Sequence, residues 1–275
     1  MILITGGTGF VGRLLIRELL AEGYEVRCLF RRKEINGVEN WKGDLRDHES
    51  LVGIGRDVEV VIHLAAVGEV NAVSKKHLRR YFETNVRGLK NLLEECEDVK
   101  KFIMLSSLVV EKDYYSAYGE TKRLAEKMLI SSGLPYLIIR VPMIYDWDEP
   151  KGDFKRIVEM VKKGCVFFID RGKYRVDLVS REKVVRKLMR EINSREKDKV
   201  EKLVGKSLSF DELIEKIAKK YELRMPKHIK LPFVPLSPLF FSVDLLARFF
   251  GFVPPISFGR ARYLHEQDKN APAGI

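Results

Sequence analysis

Apolar positions along the chain have two textures. Residues 2–5, 25–30, 58–64, 101–106 and 136–141 form short apolar runs, and between them residues 14–20, 75–96 and 117–131 carry apolar side chains at helical spacing. Short runs that are apolar throughout suit strands buried on both faces, and strands alternating with helices imply right-handed crossovers and a parallel sheet. The predicted class is α/β, a Rossmann-type doubly wound parallel sheet with a smaller C-terminal substrate-binding cap. The cofactor-type domain is expected over residues 1–145, with 175–193 returning to it, and the cap over 146–174 and 194–275. Within the cap, 181–192 and 210–221 read as amphipathic helices, and no internal repeat is visible. Residues 231–258 are rich in Pro and Phe but contain Asp244 and Arg248 and are bounded by prolines. A packed cap helix is expected there rather than a membrane span, with an apolar lid or a membrane-surface contact as the alternative. The tail from Glu266 onward is expected to fray.

The first run leads directly into Gly6-Gly7-Thr8-Gly9-Phe10-Val11-Gly12 and then a helix. Strand, glycine turn and helix in that order bring unhindered backbone N–H groups and a helix N-terminus to one point, a seat for a pyrophosphate. Only residues lacking a Cβ permit so tight a turn with close phosphate approach.

Composition narrows the class further. Hydrophobic residues at 45% and charged residues at 32% describe a soluble globular chain, and no signal-like leader precedes the first strand. Cys28, Cys96 and Cys165 are odd in number and far apart, which suits a reducing cytoplasm, and His48, His63, His77, His228 and His265 show no ligand spacing, so no metal is expected. The net charge of +11 is spread through mixed runs such as Arg195-Glu-Lys-Asp-Lys199. With no accompanying aromatic stripe, it argues for an anionic cofactor or substrate rather than nucleic acid. A surface rich in Lys, Arg and Glu, with Gln267 the sole glutamine, is typical of hyperthermophile proteins.

Tyr118-Gly-Glu-Thr-Lys122 puts a phenol and an amine on one helical face, about 6 Å apart along the axis. An ammonium beside a phenol is expected to lower a pKa that is otherwise about 10, so that Tyr118 could exchange a proton with a substrate oxygen near neutral pH. Ser106-Ser107 ends the strand before this helix, so one hydroxyl would face the same crevice and could hydrogen-bond the reacting oxygen.

With these residues in place the first 145 positions resemble the extended short-chain dehydrogenase/reductases of the NAD-dependent epimerase/dehydratase superfamily. The matching stretches are Thr5 to Gly12, Gly43-Asp-Leu45, His63-Leu-Ala-Ala66, Tyr81 to Gly88 with Asn91-Leu-Leu-Glu94, Ser106-Ser107, Tyr118 to Lys122 and Arg140 to Tyr145. The resemblance implies Tyr118 as general acid/base, with Lys122 holding the nicotinamide ribose. It also implies Ser107 on the substrate oxygen and Asn85 positioning Lys122 through a water-linked relay. Gly6, Gly9, Phe10, Val11 and Gly12 would hold the pyrophosphate and Asp44 and Leu45 flank the adenine, while Leu64, Ala65 and Ala66 let the chain pass close to the cofactor. His63 reads as structural, and Asn85 could instead be a buried polar tie between a helix and a loop.

An NAD-preferring member carries an acid at the end of the second strand, where this chain has Phe30 followed by Arg31, Arg32 and Lys33. Arginines bind a 2′-phosphate by charge-assisted contacts, which favours NADP over NAD.

Departures from the family bear on substrate. Met143 stands where sugar-nucleotide epimerases commonly have Asn, Asp146 replaces a Gly, and only ten residues separate Ser107 from Tyr118. The Pro- and Phe-rich end resembles the 3β-hydroxysteroid dehydrogenase and dihydroflavonol-type branch, whereas Arg175-Val-Asp177 resembles the diphosphate-holding arginine segment of sugar-nucleotide members. The expected reaction is hydride transfer to or from a secondary alcohol or ketone on a small-molecule substrate. The alternatives are a sugar-nucleotide epimerase or dehydratase with an internally recycled cofactor, and a non-catalytic dinucleotide-binding subunit or redox sensor. Family members commonly pair the helices at 75–96 and 117–131 across a two-fold axis, so a homodimer is expected.

Overall fold

The computed structural model describes residues 1–68, 74–114 and 116–271. In chain order its elements begin with β1 (Ile2–Thr5), α1 (Phe10–Ala21), β2 (Val26–Phe30), β3 (Glu39–Lys42), β4 (Val60–His63), α2 (Lys75–Tyr81) and α3 (Gly88–Glu94). They continue with β5 (Lys101–Ser107), α4 (Ala117–Ser131), β6 (Tyr136–Val141), β7 (Met143–Tyr145), α5 (Gly152–Lys162), β8 (Cys165–Ile169), β9 (Arg175–Ser180) and α6 (Arg181–Ile192). The last are β10 (Lys199–Lys202), β11 (Lys206–Ser209), α7 (Phe210–Lys220), β12 (Lys227–Leu231), α8 (Phe233–Phe250) and α9 (Phe258–Asn270).

Seven strands form one sheet in the order β10-β6-β5-β4-β1-β2-β3, all parallel. Alternation along each strand divides the apolar side chains between two cores. Ile2 and Ile4 of β1 pack with Leu15, Val184 and Leu188 under α1 and α6, while Leu3 packs on the opposite face with Phe102, Leu89 and Leu129 under α3 and α4. Strand order reverses between β1 and β4, and the glycine loop leaves β1 at that point, where doubly wound sheets open a crevice for ligands. A third core joins α5, α7, β8 and the start of α8 around Phe154, Phe168, Leu213 and Phe233. Two small sheets serve it, β11-β9-β7 and β12-β8.

Several elements differ from the sequence expectation. β3 has exposed, polar Glu39-Asn-Trp-Lys42 and lacks an apolar run, yet it pairs with β2, and Glu39 receives buried Arg27 at 2.7 Å. β10 lies within the stretch assigned to the cap but is the edge strand of the main sheet, hydrogen-bonded to β6 and fastened by Lys187 to Glu201 at 2.5 Å. Conversely β9, in the stretch expected to return to the cofactor domain, pairs with β7 and β11, although its Val179 enters the main core beside α6, which packs against α1. The helix expected over 75–96 runs from Lys75 to Glu94, but it carries a π-type turn at Phe82–Arg87, where Asn85 accepts from the Val67 amide. The tail does not fray from Glu266, because α9 continues to Asn270 and Asp268 is buried under the loop at Arg171 and Lys173. Residues 272–275 lie outside the described residues.

Candidate active site

The glycine loop is tight enough to exclude side chains. A Cβ on Gly12 would stand 2.3 Å from the Gly6 carbonyl oxygen, one on Gly9 2.9 Å from it, and Gly6 itself, at φ +77°, would drive a Cβ to within 2.7 Å of the Ala65 amide. No side chain caps α1 at Gly9, so its first amides face the crevice directly. Backbone donors at a helix start, with no Cβ in front of them, fit a pyrophosphate.

From this loop a cleft of about 630 Å³ runs past Gly9, Phe10, Val11, Leu64 and Ala66 to Ser107 and Tyr118. It then reaches a second wall made by α5, β9 and α9. A comparable cavity of about 660 Å³ lies at the opposite ends of the strands, around Met1, Tyr24 and Asn193, away from every glycine and hydroxyl considered above.

Tyr118 sits in the first turn of α4, which starts where the Ser116 hydroxyl accepts from the Gly119 amide at 3.3 Å. β5 ends at Ser107, and the ten-residue connection returns the chain so that the two side chains share the cleft. Burial pushes the Tyr118 phenol up to about 12, and a hydrogen bond with Ser107 works against that rise. The expected lowering by Lys122 is not found. Lys122 is buried, its Nζ donates to the Leu105 carbonyl at 2.8 Å, and desolvation holds its own pKa down to about 8, opposed by Glu126. Helical spacing brought the two residues onto one face, but the lysine length is spent on the backbone of β5.

The hydrogen bonds of Asn85 run to the turn after β4 and to α4. Its amide oxygen accepts from Val67 N at 2.8 Å and its nitrogen donates to Val67 O at 3.0 Å and Thr121 Oγ1 at 3.2 Å. Thr121 in turn donates to the Tyr118 carbonyl at 2.9 Å, so Asn85 ties the turn after β4 to the helix that carries the tyrosine. His63 is buried against Thr5 Oγ1 at 2.8 Å and its pKa is held down to about 3 by desolvation, as a structural histidine requires. Ser106, the neighbour of Ser107, points the other way and donates to buried Glu126 at 2.5 Å.

At the far end, Asp44 receives Arg46 at 2.6 Å and stands 3.8 Å from Arg31, and the Arg46 hydrogen bond is the largest influence holding its carboxyl down at about 2. Arg31 and Arg32 are exposed at the end of β2, and Leu45 is buried beneath Asn91, which donates to its carbonyl at 2.8 Å. Ala65 donates to Thr5 Oγ1 at 3.4 Å and lies directly behind Gly6.

The second wall holds residues that motif reading missed. Lys151, Arg156, Arg175 and Arg260 line the cleft there against Asp153 and Asp177, and Lys112, from the turn after β5, lies 5.3 Å over the Tyr263 ring of α9. Arg260 reaches Asp153 at 3.2 Å, Tyr263 packs on Tyr114 at 5.1 Å, and Arg175, noted in the sequence together with Asp177, donates to Ser207 Oγ at 3.1 Å. Buried Arg181 at the start of α6 lies 4.6 Å over the Phe10 ring and pairs with Asp146 at 3.3 Å and Glu149 at 2.8 Å. The Asp146 that departs from the family is therefore the partner of a guanidinium beside the glycine loop. Its spacing from Arg181 carries no motif, and only the fold joins them.

A model of the NAD dependent epimerase/dehydratase family matches residues 2–204. The ceramide reductase of Caulobacter vibrioides is 31% identical over 152 residues, which is 53% of this chain and 46% of that protein. The chain spans about half the length of the curated relatives it matches. Among solved structures, the UDP-glucose 4-epimerase of Thermotoga maritima with UDP-glucose superposes with a TM-score of 0.71 at 22% identity, covering 98% of both chains. The Bordetella bronchiseptica enzyme WbmH in complex with NAD⁺ gives 0.73 at 18% identity, covering 85% of both. At these identities the structural likeness establishes the fold.

Proposed function

The chain belongs to the NAD-dependent epimerase/dehydratase family, and from that premise we propose that it is an NAD(P)-dependent oxidoreductase acting on a secondary alcohol or ketone. The observation that carries the reading is the meeting of Ser107 and Tyr118 in one cleft with the glycine loop. When bound, the dinucleotide supplies or accepts the hydride at its nicotinamide ring. The residues of the chain do the rest. A phenol held at about 12 is fully protonated at neutral pH, so Tyr118 is poised to give its proton to the oxygen of a ketone, and Ser107 orients that oxygen while sharing a hydrogen bond with Tyr118. Lys122 and Asn85 act as supports, the first on β5 and the second on α4. Arg31 and Arg32 support NADP over NAD, since they are exposed cations where an acid would repel a 2′-phosphate.

A second reading is favoured by the four cations of the far wall together with Lys112, which suit an anionic substrate such as a sugar nucleotide carried through an internal redox cycle. Absorbance of the reduced nicotinamide during turnover separates the two. Stoichiometric consumption of NADPH supports net reduction, and turnover with no net change supports the epimerase or dehydratase cycle. A homodimer through α2 and α4 is part of the proposal, supported by exposed Leu124 and Ile130 on α4 and Phe82 at the end of α2. Light scattering that returns the mass of a single chain would remove it.

A further inference from the structure

α8 lies beyond the region matched by the family model, and its sequence is apolar nearly all round. Such helices are normally enclosed. This one is packed along a single stripe only. Phe233, Phe240 and Ala247 face the third core or are buried, and Asp244 Oδ2 accepts from the Phe258 amide at 3.0 Å, which locks α8 onto α9. The opposite face leaves Leu239, Phe241, Leu245, Leu246, Phe249 and Phe250 in solvent, the last two at 81% and 78% exposure. Its 18 residues have a mean hydropathy of 1.5, long and apolar enough to cross a bilayer, but the stripe committed to α9 keeps the helix on the protein.

The charge around the helix distinguishes the possible coverings. Residues 222–266 contain six Lys or Arg and three acids, of which Asp244 is buried and Glu266 receives Arg262 at 3.0 Å. Lys227 and Lys230 are exposed just before α8, and Arg248 is exposed beside the two phenylalanines. A two-fold contact through this face would set an excess of cations against its own copy. An anionic lipid surface matches them, with the apolar side chains entering the acyl boundary and the cations at headgroup level.

The geometry points to α8 as an interfacial helix that seats the protein on an anionic bilayer surface. α9 then lies between that surface and the cleft, since Arg260, Tyr263 and Leu264 of α9 line the cleft while α9 also packs on α8.

Sedimentation of the full chain with phosphatidylcholine vesicles, with and without phosphatidylglycerol, tests this without any turnover, so its outcome is independent of the redox reading. The expected result is pelleting with the anionic vesicles and partitioning reduced at least about tenfold in F249S/F250S, whose thermal midpoint stays at the parent value because both side chains are exposed. K227Q/R248Q should weaken anionic binding by about fivefold per cation, and keeps the test decisive if the phenylalanine variant folds poorly. Absence of pelleting, or equal pelleting of all variants, overturns the inference. So does light scattering in which the parent self-associates and F249S/F250S does not, with no vesicle binding by either, because a second copy of the chain would then be the occupant.

Discussion

The wall of the cleft made by β1, β5 and α4 and the wall made by α5, β9 and α9 are built from different kinds of contact. On the first, a glycine turn, a strand end and a helix start position every group, and each lies next to an element whose type follows from local spacing. On the second, residues 151–156, 175–177 and 260–264 come from distant segments joined by the third core and by bonds such as Arg260 to Asp153, while α9 is fastened to the loop before β9 through His265 and Asp170 at 2.6 Å and through the Arg171 amide, which donates to Asp268 at 3.1 Å. On the reading proposed above, proton chemistry belongs to the first wall and substrate choice to the second.

The largest expected effect tests the first wall. Tyr118→Phe should lower kcat by about a thousandfold while the dissociation constant of the dinucleotide, read by fluorescence titration, stays within about twofold. The matching change on the second wall, Arg175→Ala, should act mainly on KM. Equal losses in kcat from both would break the division.

Next comes the buried amine. The folded pKa of Lys122 is depressed from 10.5 to about 8, so the relative stability it allows is present above 10.5 and is lost as pH falls through 8. Charging it in place costs about 3 kcal/mol, offset by about 1 kcal/mol from its bond to Leu105 O. Urea unfolding of the dinucleotide-free protein should find Lys122→Met more stable than the parent by about 2 kcal/mol at pH 7, with the gap closing toward pH 10.5. A variant weaker than its parent at pH 7 would show that the amine is well accommodated where it is.

On the second wall, Asp268→Ala removes a carboxylate that is 1% exposed and accepts from the Arg171 amide and Nε at 3.1 Å and the Lys173 amide at 2.5 Å. A loss of about 2 kcal/mol is expected, with faster amide exchange confined to residues 171–173 and the neighbouring cap. Exchange rising equally in β1 and β5 would mean that the two walls unfold as one. The smallest effect is at the adenine end, where Arg31→Ala should weaken NADP about fivefold relative to NAD in paired titrations. An unchanged ratio would assign the basic turn to solvent.

How far the chain could be read without coordinates follows from these contacts. The glycine loop, Ser107, Tyr118 and the span of α4 were legible because each is set by spacing within one strand or one helical turn. β3 and β10 were not, since an edge strand such as Lys199-Val-Glu-Lys202 needs only backbone partners and carries no apolar signature. The π-type turn around Asn85 was invisible for a related reason: residues 75–96 satisfy helical spacing throughout, and the bond from the Val67 amide to Asn85 at that turn is long-range. Tyr118 and Lys122 were correctly placed on one helix, but the sign of the tyrosine shift was missed, because burial outweighs an amine whose bond goes elsewhere.

The order of apolar runs and glycines was enough by itself to determine a parallel sheet with a phosphate-sized turn after its first strand, because those features depend on backbone sterics a few residues long. Only tertiary structure decided which cations line the far wall, which face of α8 remains uncovered and which way Lys122 reaches. Those outcomes depend on side chains brought together from distant segments, whose separation along the chain holds no periodic trace of their contact.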